Sequence, residues 1–362
     1  LQITFPMELR MVPLGFLWIT LISPWRIVFP MARQPPRAAR SRLLWVIPAL
    51  VIAVAALAIL AGGVGKTGDG NSAPTRESAI PQGAVKVLPS SDPYPPILVS
   101  GDWYPPVPLP SAVDTAGGED SAFVLPDGKT LYFFFTPNVT VPAEKQLLDK
   151  VTGIYVSRLV NGSWSEASRV TLQDQGKLAL DGCACVQGGV MWFCSAREGY
   201  SGVNMFTANA SGSSWCCWSY AGDLLNRNYG VGEVHLSANG QSLYFHSDRA
   251  GGEGSLDIWV SYRVNGTWQE PVNVEAINTA GNEGWPFLTQ DGSELWFTRT
   301  YLGTPAIFRS VSENGTWSEP ELIVYQFAGE PSLDSDGNLY FTHHFFSNGS
   351  MVEADIYVAY RK

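Results

Sequence analysis

Charge is scarce in this sequence. Asp, Glu, Lys and Arg together make up 15% of its 362 residues, and histidine occurs only four times. The net charge of −10 leaves no basic excess. That excludes nucleic acid as an expected partner, because binding phosphate needs a basic face. His235 and His246 share one repeat, His343 and His344 are adjacent, and no H-x-x-x-H or Cys/His set occurs. A transition-metal site is therefore not expected. Cysteine is confined to one stretch, as Cys183, Cys185, Cys194, Cys216 and Cys217. Aromatic residues are plentiful at 12%, with 13 Trp and 36 Gly. This mixture favours an all-β protein.

Long apolar runs are also scarce, with one exception. Residues 43–61, LLWVIPALVIAVAALAILA, hold no charge and are long enough to cross a hydrocarbon core as a helix. Arg33, Arg37, Arg40 and Arg42 precede the run, and residues 1–62 carry six Arg, no Lys and one Glu. The positive-inside rule places 1–42 in the cytoplasm and the remainder outside. We therefore expect a single-pass signal anchor in the cell membrane. A cleaved signal peptide is the competing reading, but the run exceeds the usual apolar core of such peptides. Met31 heads MARQPPRAARSR, which reads as a natural start, so residues 1–30 are expected not to be translated. Residues 62–84 are rich in Gly, Ser, Pro and Ala and read as a flexible stalk. Their GGVGKT lacks the spacing of a phosphate loop.

The domain expected over 85–362 is repetitive. Four copies share an Asp-Gly or Asn-Gly turn, a Leu-aromatic-Phe strand and an Ile-aromatic strand, followed in all but the last by a Gly turn and Trp, while the second copy is divergent, with Gly188-Gly189, Trp192-Phe193 and Trp215. The second-strand aromatics are Tyr132, Trp192, Tyr244, Trp296 and Tyr340. Asp-Gly and Asn-Gly supply the positive φ of tight hairpins. Runs such as LYF, LWF and MWF suit sheets buried on both faces. The Trp is a large apolar anchor between neighbouring sheets. Five copies of about four strands predict a five-bladed β-propeller. The last copy stops before its Trp strand. Trp103 to Glu119 matches Trp268 to Glu283, so an N-terminal strand is expected to complete the last blade and remove its open edge. An insertion near 137–152 contains AEKQLLDK, which predicts a short helix.

These residues resemble the WD40-like propeller repeat of the TolB C-terminal domain. The third copy carries the pattern in Glu233, Leu236, Ser237, Gly240, Leu243, Tyr244, Phe245, Ser247, Arg249, Gly251, Gly252, Asp257, Ile258, Ser261, Asn265, Gly266, Trp268 and Pro271. The fifth carries it in Glu330, Pro331, Leu333, Asp336, Gly337, Leu339, Tyr340 and Phe341. The resemblance implies the fold over about residues 103–362. It implies no particular function, because propellers bind, scaffold and catalyse alike.

The most suggestive polar set is acidic. Glu119 and Glu283 precede their inner turns by eight positions and Glu233 and Glu330 by six, and Asp181 is taken as their counterpart in the divergent second copy. Equal parity places them on one strand face, lining the mouth of the channel. They are expected either to form a polar or cation site, with calcium as a candidate, or to be satisfied within their own blades. Arg197, Arg249 and Arg299 follow the second strands and are candidates to pair with these acids or to meet an anionic ligand. The cysteines are candidates for disulfides stapling the second blade; their odd number leaves one over. Asn138, Asn161, Asn209, Asn265, Asn314 and Asn348 are glycosylation sequons, mostly at expected turns. No carboxylate pair is singled out from the repeat, and the Asn-Gly-Thr-Trp turns lack the Asp and the spacing of a sialidase Asp-box. We therefore expect an extracytoplasmic module that binds or scaffolds a protein or carbohydrate. The alternative is a glycoside hydrolase acting on extracellular glycans.

Overall fold

A computed structural model describes residues 74–226 and 230–362. The expected span 43–61 lies outside the described residues. Among the described residues, no helix is long and apolar enough to cross a membrane.

The chain is all-β and forms a β-propeller. Its strands pair in four sheets, the largest of which holds two antiparallel units joined by one parallel bridge, Ala354 to Gly118, so that five units can be followed along the chain. Unit 1 holds Gly118–Val124, Thr130–Thr136, Gly153–Val160 and Ser168–Arg169. Unit 2 holds Ala179–Gln187, Val190–Arg197, Val203–Ser211 and Ser214–Tyr220. Unit 3 holds Val231–Leu236, Ser242–Ser247, Asp257–Val264 and Val272–Asn273. Unit 4 holds Glu283–Leu288, Glu294–Tyr301, Thr304–Glu313 and Glu321–Tyr325. Unit 5 begins with Ala328–Leu333, Leu339–Ser347 and Ser350–Ala359. Its outer position is taken by Val107–Pro108, paired antiparallel with Val358 and Tyr357. The first strand of each unit packs on the first strand of the next, and that of unit 5 packs on that of unit 1.

The second strands are buried on both faces, as their continuous apolar runs predict. Phe133, Phe193, Phe245, Phe297 and Phe341 have no exposed surface. The Trp of each hairpin reaches back to the second-strand aromatic of the preceding unit. Trp215 meets Tyr132 at 6.3 Å, Trp268 meets Trp192 at 5.9 Å and Trp317 meets Tyr244 at 6.3 Å. Trp103 meets Trp296 at 5.6 Å, so the N-terminal segment supplies unit 5 with its Trp. Trp164 packs into the cluster that contains Tyr340, on the remaining junction.

Of the stalk expected over 62–84, residues 62–73 lie outside the described residues, and residues 74–84 are held to the domain. Thr75 caps a helix at Arg76–Ala79, and Arg76 is buried. A buried guanidinium with carboxylate and carbonyl partners holds this segment down, which its small-residue composition does not reveal. Farther on, Ile97–Leu98 pairs with Tyr325 and Val324 at the outer edge of unit 4. The insertion forms the expected helix, at Ala143–Asp149. Asn161, Asn265, Asn314 and Asn348 occupy hairpin turns with positive φ, whereas Asn209 lies exposed within a strand.

Candidate functional site: the inner strands and their carboxylates

Every inner strand contains a β-bulge. Its ladder slips between Asp120 and Phe123, Gly182 and Cys185, Gly232 and Val234, Gly284 and Phe287, and Gly329 and Ser332. Each bulge holds one non-glycine residue in the left-handed region, namely Ser121, Cys183, Glu233, Trp285 or Glu330. A bulge breaks side-chain alternation. The five expected acids therefore do not share one face. Glu233 and Glu330 occupy bulge positions, and Glu119, Asp181 and Glu283 lie two residues before one. This corrects the parity argument, which assumed an unbroken pleat.

Each member of the second group is paired with an arginine. Asp181 pairs with Arg197 at 2.8 Å and Glu283 with Arg299 at 2.9 Å. Glu119 pairs with Arg76 at 3.4 Å, a partner from outside the repeat. Thr115 gives Glu119 its backbone N–H at 3.0 Å and its hydroxyl at 2.6 Å. Thr279 treats Glu283 in the same way, at 2.9 and 2.7 Å. Each guanidinium also lies over aromatic rings: Arg76 over Phe133 and Tyr155, Arg197 over Phe193 and Phe206, Arg299 over Phe297 and Phe308. Arg249 lies likewise over Phe245 and Trp259. Val231 stands where units 1, 2 and 4 place the acid, and Arg249 donates to the Ser247 hydroxyl at 3.2 Å and to the Leu225 carbonyl at 3.5 Å.

Glu233 and Glu330 converge on Ser121 at the channel. The Ser121 hydroxyl donates to Glu233 at 2.9 Å and its N–H to Glu330 at 2.5 Å. Thr342 adds a hydroxyl to Glu330 at 2.8 Å. They border a cavity of about 20 Å³, walled by His235, Trp285, Phe287 and Pro331 among others. That is room for about one water or ion. Asp120 joins them electrostatically, and was not singled out from sequence because no repeat equivalent marks it. Its Oδ1 is buried and has no hydrogen bond among the described residues. Burial, then repulsion from Glu330 and Glu233, holds the Asp120 carboxyl well above the usual range. Burial, then Glu330, pushes Glu233 up to about 7. His235 is driven down to about 3 by burial and remains a neutral ring between Phe123 and Phe287.

A more compact oxygen group lies where units 5 and 1 meet. Asp114, Glu119 and Asp355 each place an oxygen within 4.8 Å of the others, and all three are buried. Lys86 reaches into this group, contacting Asp355 and Glu353, so the chain supplies its own cation there. Burial raises Glu119 to about 7 and Asp355 to about 8, against the pull of Arg76 and Lys86.

The five cysteines are unbridged in this structure, all in unit 2. Cys183 sits on the bulge facing Cys194, and Cys185 accepts the Leu236 N–H at 3.4 Å. Cys216 and Cys217 do not point apart as a regular strand requires. Cys217 has positive φ, and the two sulfurs lie 2.7 Å from each other.

No family model and no curated protein matches the chain. Among solved structures, it is similar to an endo-arabinase from Bacteroides thetaiotaomicron at 13% identity and a TM-score of 0.45, covering 70% of this chain and 97% of that one. It is similar to an α-L-arabinofuranosidase from Podospora anserina at 8% identity and 0.42, covering 72% and 97%. An oligogalacturonate lyase aligns at 12% identity and 0.37, covering 68% and 78%.

Proposed function

We propose that this chain is a five-bladed propeller, closed by Val107–Pro108, that acts outside the cytoplasm as a membrane-tethered binding or scaffolding module. The tether is the apolar run 43–61, with its basic flank inside. The repeat pattern similar to that of the TolB C-terminal domain supports the fold but not a TolB role. One observation carries the reading as a binder: the channel cavity of about 20 Å³ admits a water or an ion but no sugar ring. Three of the five repeat acids are moreover consumed by Arg76, Arg197 and Arg299. The remaining oxygens of Asp120, Glu233 and Glu330 suit protons or a hard cation such as calcium.

A second reading, hydrolysis of extracellular glycans, is favoured by the Glu233 carboxyl, raised to about 7 beside Glu330, as a general acid requires. One experiment separates the two. The full chain in detergent or nanodiscs is screened against peptide and glycan arrays and assayed for glycoside hydrolysis. The binding reading expects a saturable protein or glycan ligand without turnover, unaffected by Glu233→Gln. Turnover lost in Glu233→Gln or Glu330→Gln, with no ligand retained, overturns it.

A further inference from the structure

The outer strand of unit 2 is unlike the others. Those of units 1, 3 and 5 are two residues long, and the five-residue one of unit 4 is covered by Ile97–Leu98. Ser214–Tyr220 spans seven residues and, among the described residues, pairs on one side only, with Val203–Ser211. A bulge interrupts it. Thr207 pairs with Ser219 and Asn209 with Cys216, so Cys217 and Trp218 together oppose Ala208. Cys217 takes the left-handed conformation, at φ 57°. A bulge on an open edge has a structural use, because it hinders pairing with a second chain. Glycine serves that use without strain, whereas a side chain in this region costs about 1–2 kcal/mol. The edge therefore accounts for the bulge, but not for the two cysteines on it.

The bulge sets their sulfurs together. Adjacent side chains of a regular strand point to opposite faces. Yet Cys216 Sγ and Cys217 Sγ lie 2.7 Å apart, and both residues are exposed. No other thiol of the chain reaches them. Cys194 is on the second strand of the unit, and Cys183 and Cys185 are on the first. Strand spacing puts these about 10 Å and about 14 Å from the outer strand, beyond the ~7 Å between Cα atoms that a disulfide can span. The exposed cysteines can therefore bridge to each other or to a second molecule, but not to the buried three.

We propose that Cys216 and Cys217 are a site of thiol–disulfide exchange, closing a reversible disulfide with each other with a small-molecule disulfide as oxidant. One thiolate attacks the small disulfide, forms a mixed disulfide and expels the first thiol. The other thiolate attacks the protein-side sulfur of that mixed disulfide, closes the Sγ–Sγ bond and expels the second thiol. The pair gives up two electrons and two protons, and the small disulfide takes both as it becomes two thiols. The product encloses one peptide bond and no loop of chain, so it restricts the unfolded chain very little. Exposed disulfides are also the readily reduced ones. Both properties suit a site that changes state, and neither suits a staple. The inference rests on the proposed position outside the cytoplasm only for which form prevails there. It does not depend on what the domain binds, so failure of the ligand screen leaves it standing.

The full chain in detergent is reduced, freed of reductant and treated with oxidised glutathione. It is then alkylated in the native state and read by intact mass and peptide mapping. Before oxidation, Cys216 and Cys217 should take the alkylating reagent and the three buried cysteines should not. After oxidation the chain should be lighter by two hydrogen atoms, the loss should map to Cys216 and Cys217, and their alkylation should stop. Dithiothreitol should restore both labels. The melting temperature should be the same in both forms, since no loop is closed. Cys216→Ser leaves one exposed thiol and should instead retain one glutathione. Phenylarsine oxide, which bridges neighbouring thiols, should bind the reduced parent about a hundredfold more tightly than this variant, as two linked contacts exceed one. Two glutathione adducts on the parent, a bridge to Cys183, Cys185 or Cys194, a dimer through either residue, or equal arsenical binding by Cys216→Ser overturns the proposal.

Discussion

Arg76 contributes to a blade from a segment that reads as a linker. Nothing in its neighbours marks it, because its partners Val113 and Glu119 are distant in sequence and in no periodic relation to it. Its counterparts Arg197 and Arg299 were legible, since they recur after the second strands. Asp120 was hidden for a similar reason: it belongs to no repeat position, and only the bulge beside it brings it to Glu233 and Glu330. Removing one partner of a buried pair leaves an uncompensated charge, which costs about 3–5 kcal/mol. Arg76→Ala should therefore lower unfolding stability by about that amount in a denaturant titration. Glu119 is already raised to about 7 and would take up a proton once Arg76 is gone, so the loss should grow as pH rises and adding Glu119→Gln should remove that pH dependence.

The strands themselves were readable from their apolar runs and Asn-Gly turns, and their burial follows those runs residue by residue. The bulges were not readable. A left-handed φ is ordinarily announced by glycine, whereas here it falls on Ser121, Cys183, Glu233, Trp285 and Glu330. One such residue per inner strand was enough to divide five acids expected on one face into two groups. The N-terminal strand was legible because Trp103 copies Trp268. Its anchoring is specific: Trp103 is 1% exposed and donates its indole N–H to Gly337 at 2.8 Å. Trp103→Ala should cost about 3–5 kcal/mol, as other buried aromatic truncations do. Limited proteolysis should then cut between residues 97 and 108 in the variant and leave the parent chain intact.

For the molecule as a whole, buried carboxyls outweigh buried cations, and this sets its pH response. Folded Glu119 and Glu233 titrate near 7 and Asp355 near 8, whereas such groups titrate near 4 in an unfolded chain. The folded state therefore keeps protons that the unfolded state has released, and stability falls as pH rises through these values. The histidines act in the opposite sense and in another window. His235 and His246 are held down to about 3 and His344 to about 4, so they oppose folding only below about 6.5, where the unfolded chain takes up protons. Between about pH 6.5 and 8 the carboxyls act without that opposition, and the melting temperature should decline steadily across that range. Glu233→Gln should flatten the decline; an unchanged slope would show that the channel acids are not its source.

The segment from Arg76 to Pro108 touches three units in succession. It gives Arg76 to unit 1, Lys86 to unit 5, Ile97–Leu98 to unit 4, and Val107–Pro108 again to unit 5. The chain end lies beside it, with Lys362 donating its N–H to the Asp102 carbonyl at 3.0 Å. A mechanical pull applied at residue 74 would therefore not act on one blade alone. It would be shared among two buried ion pairs and two short strand pairings before reaching any hydrogen bond of the inner ring. The segment works as a strain relief, peeling in stages under load while the ring behind it stays closed.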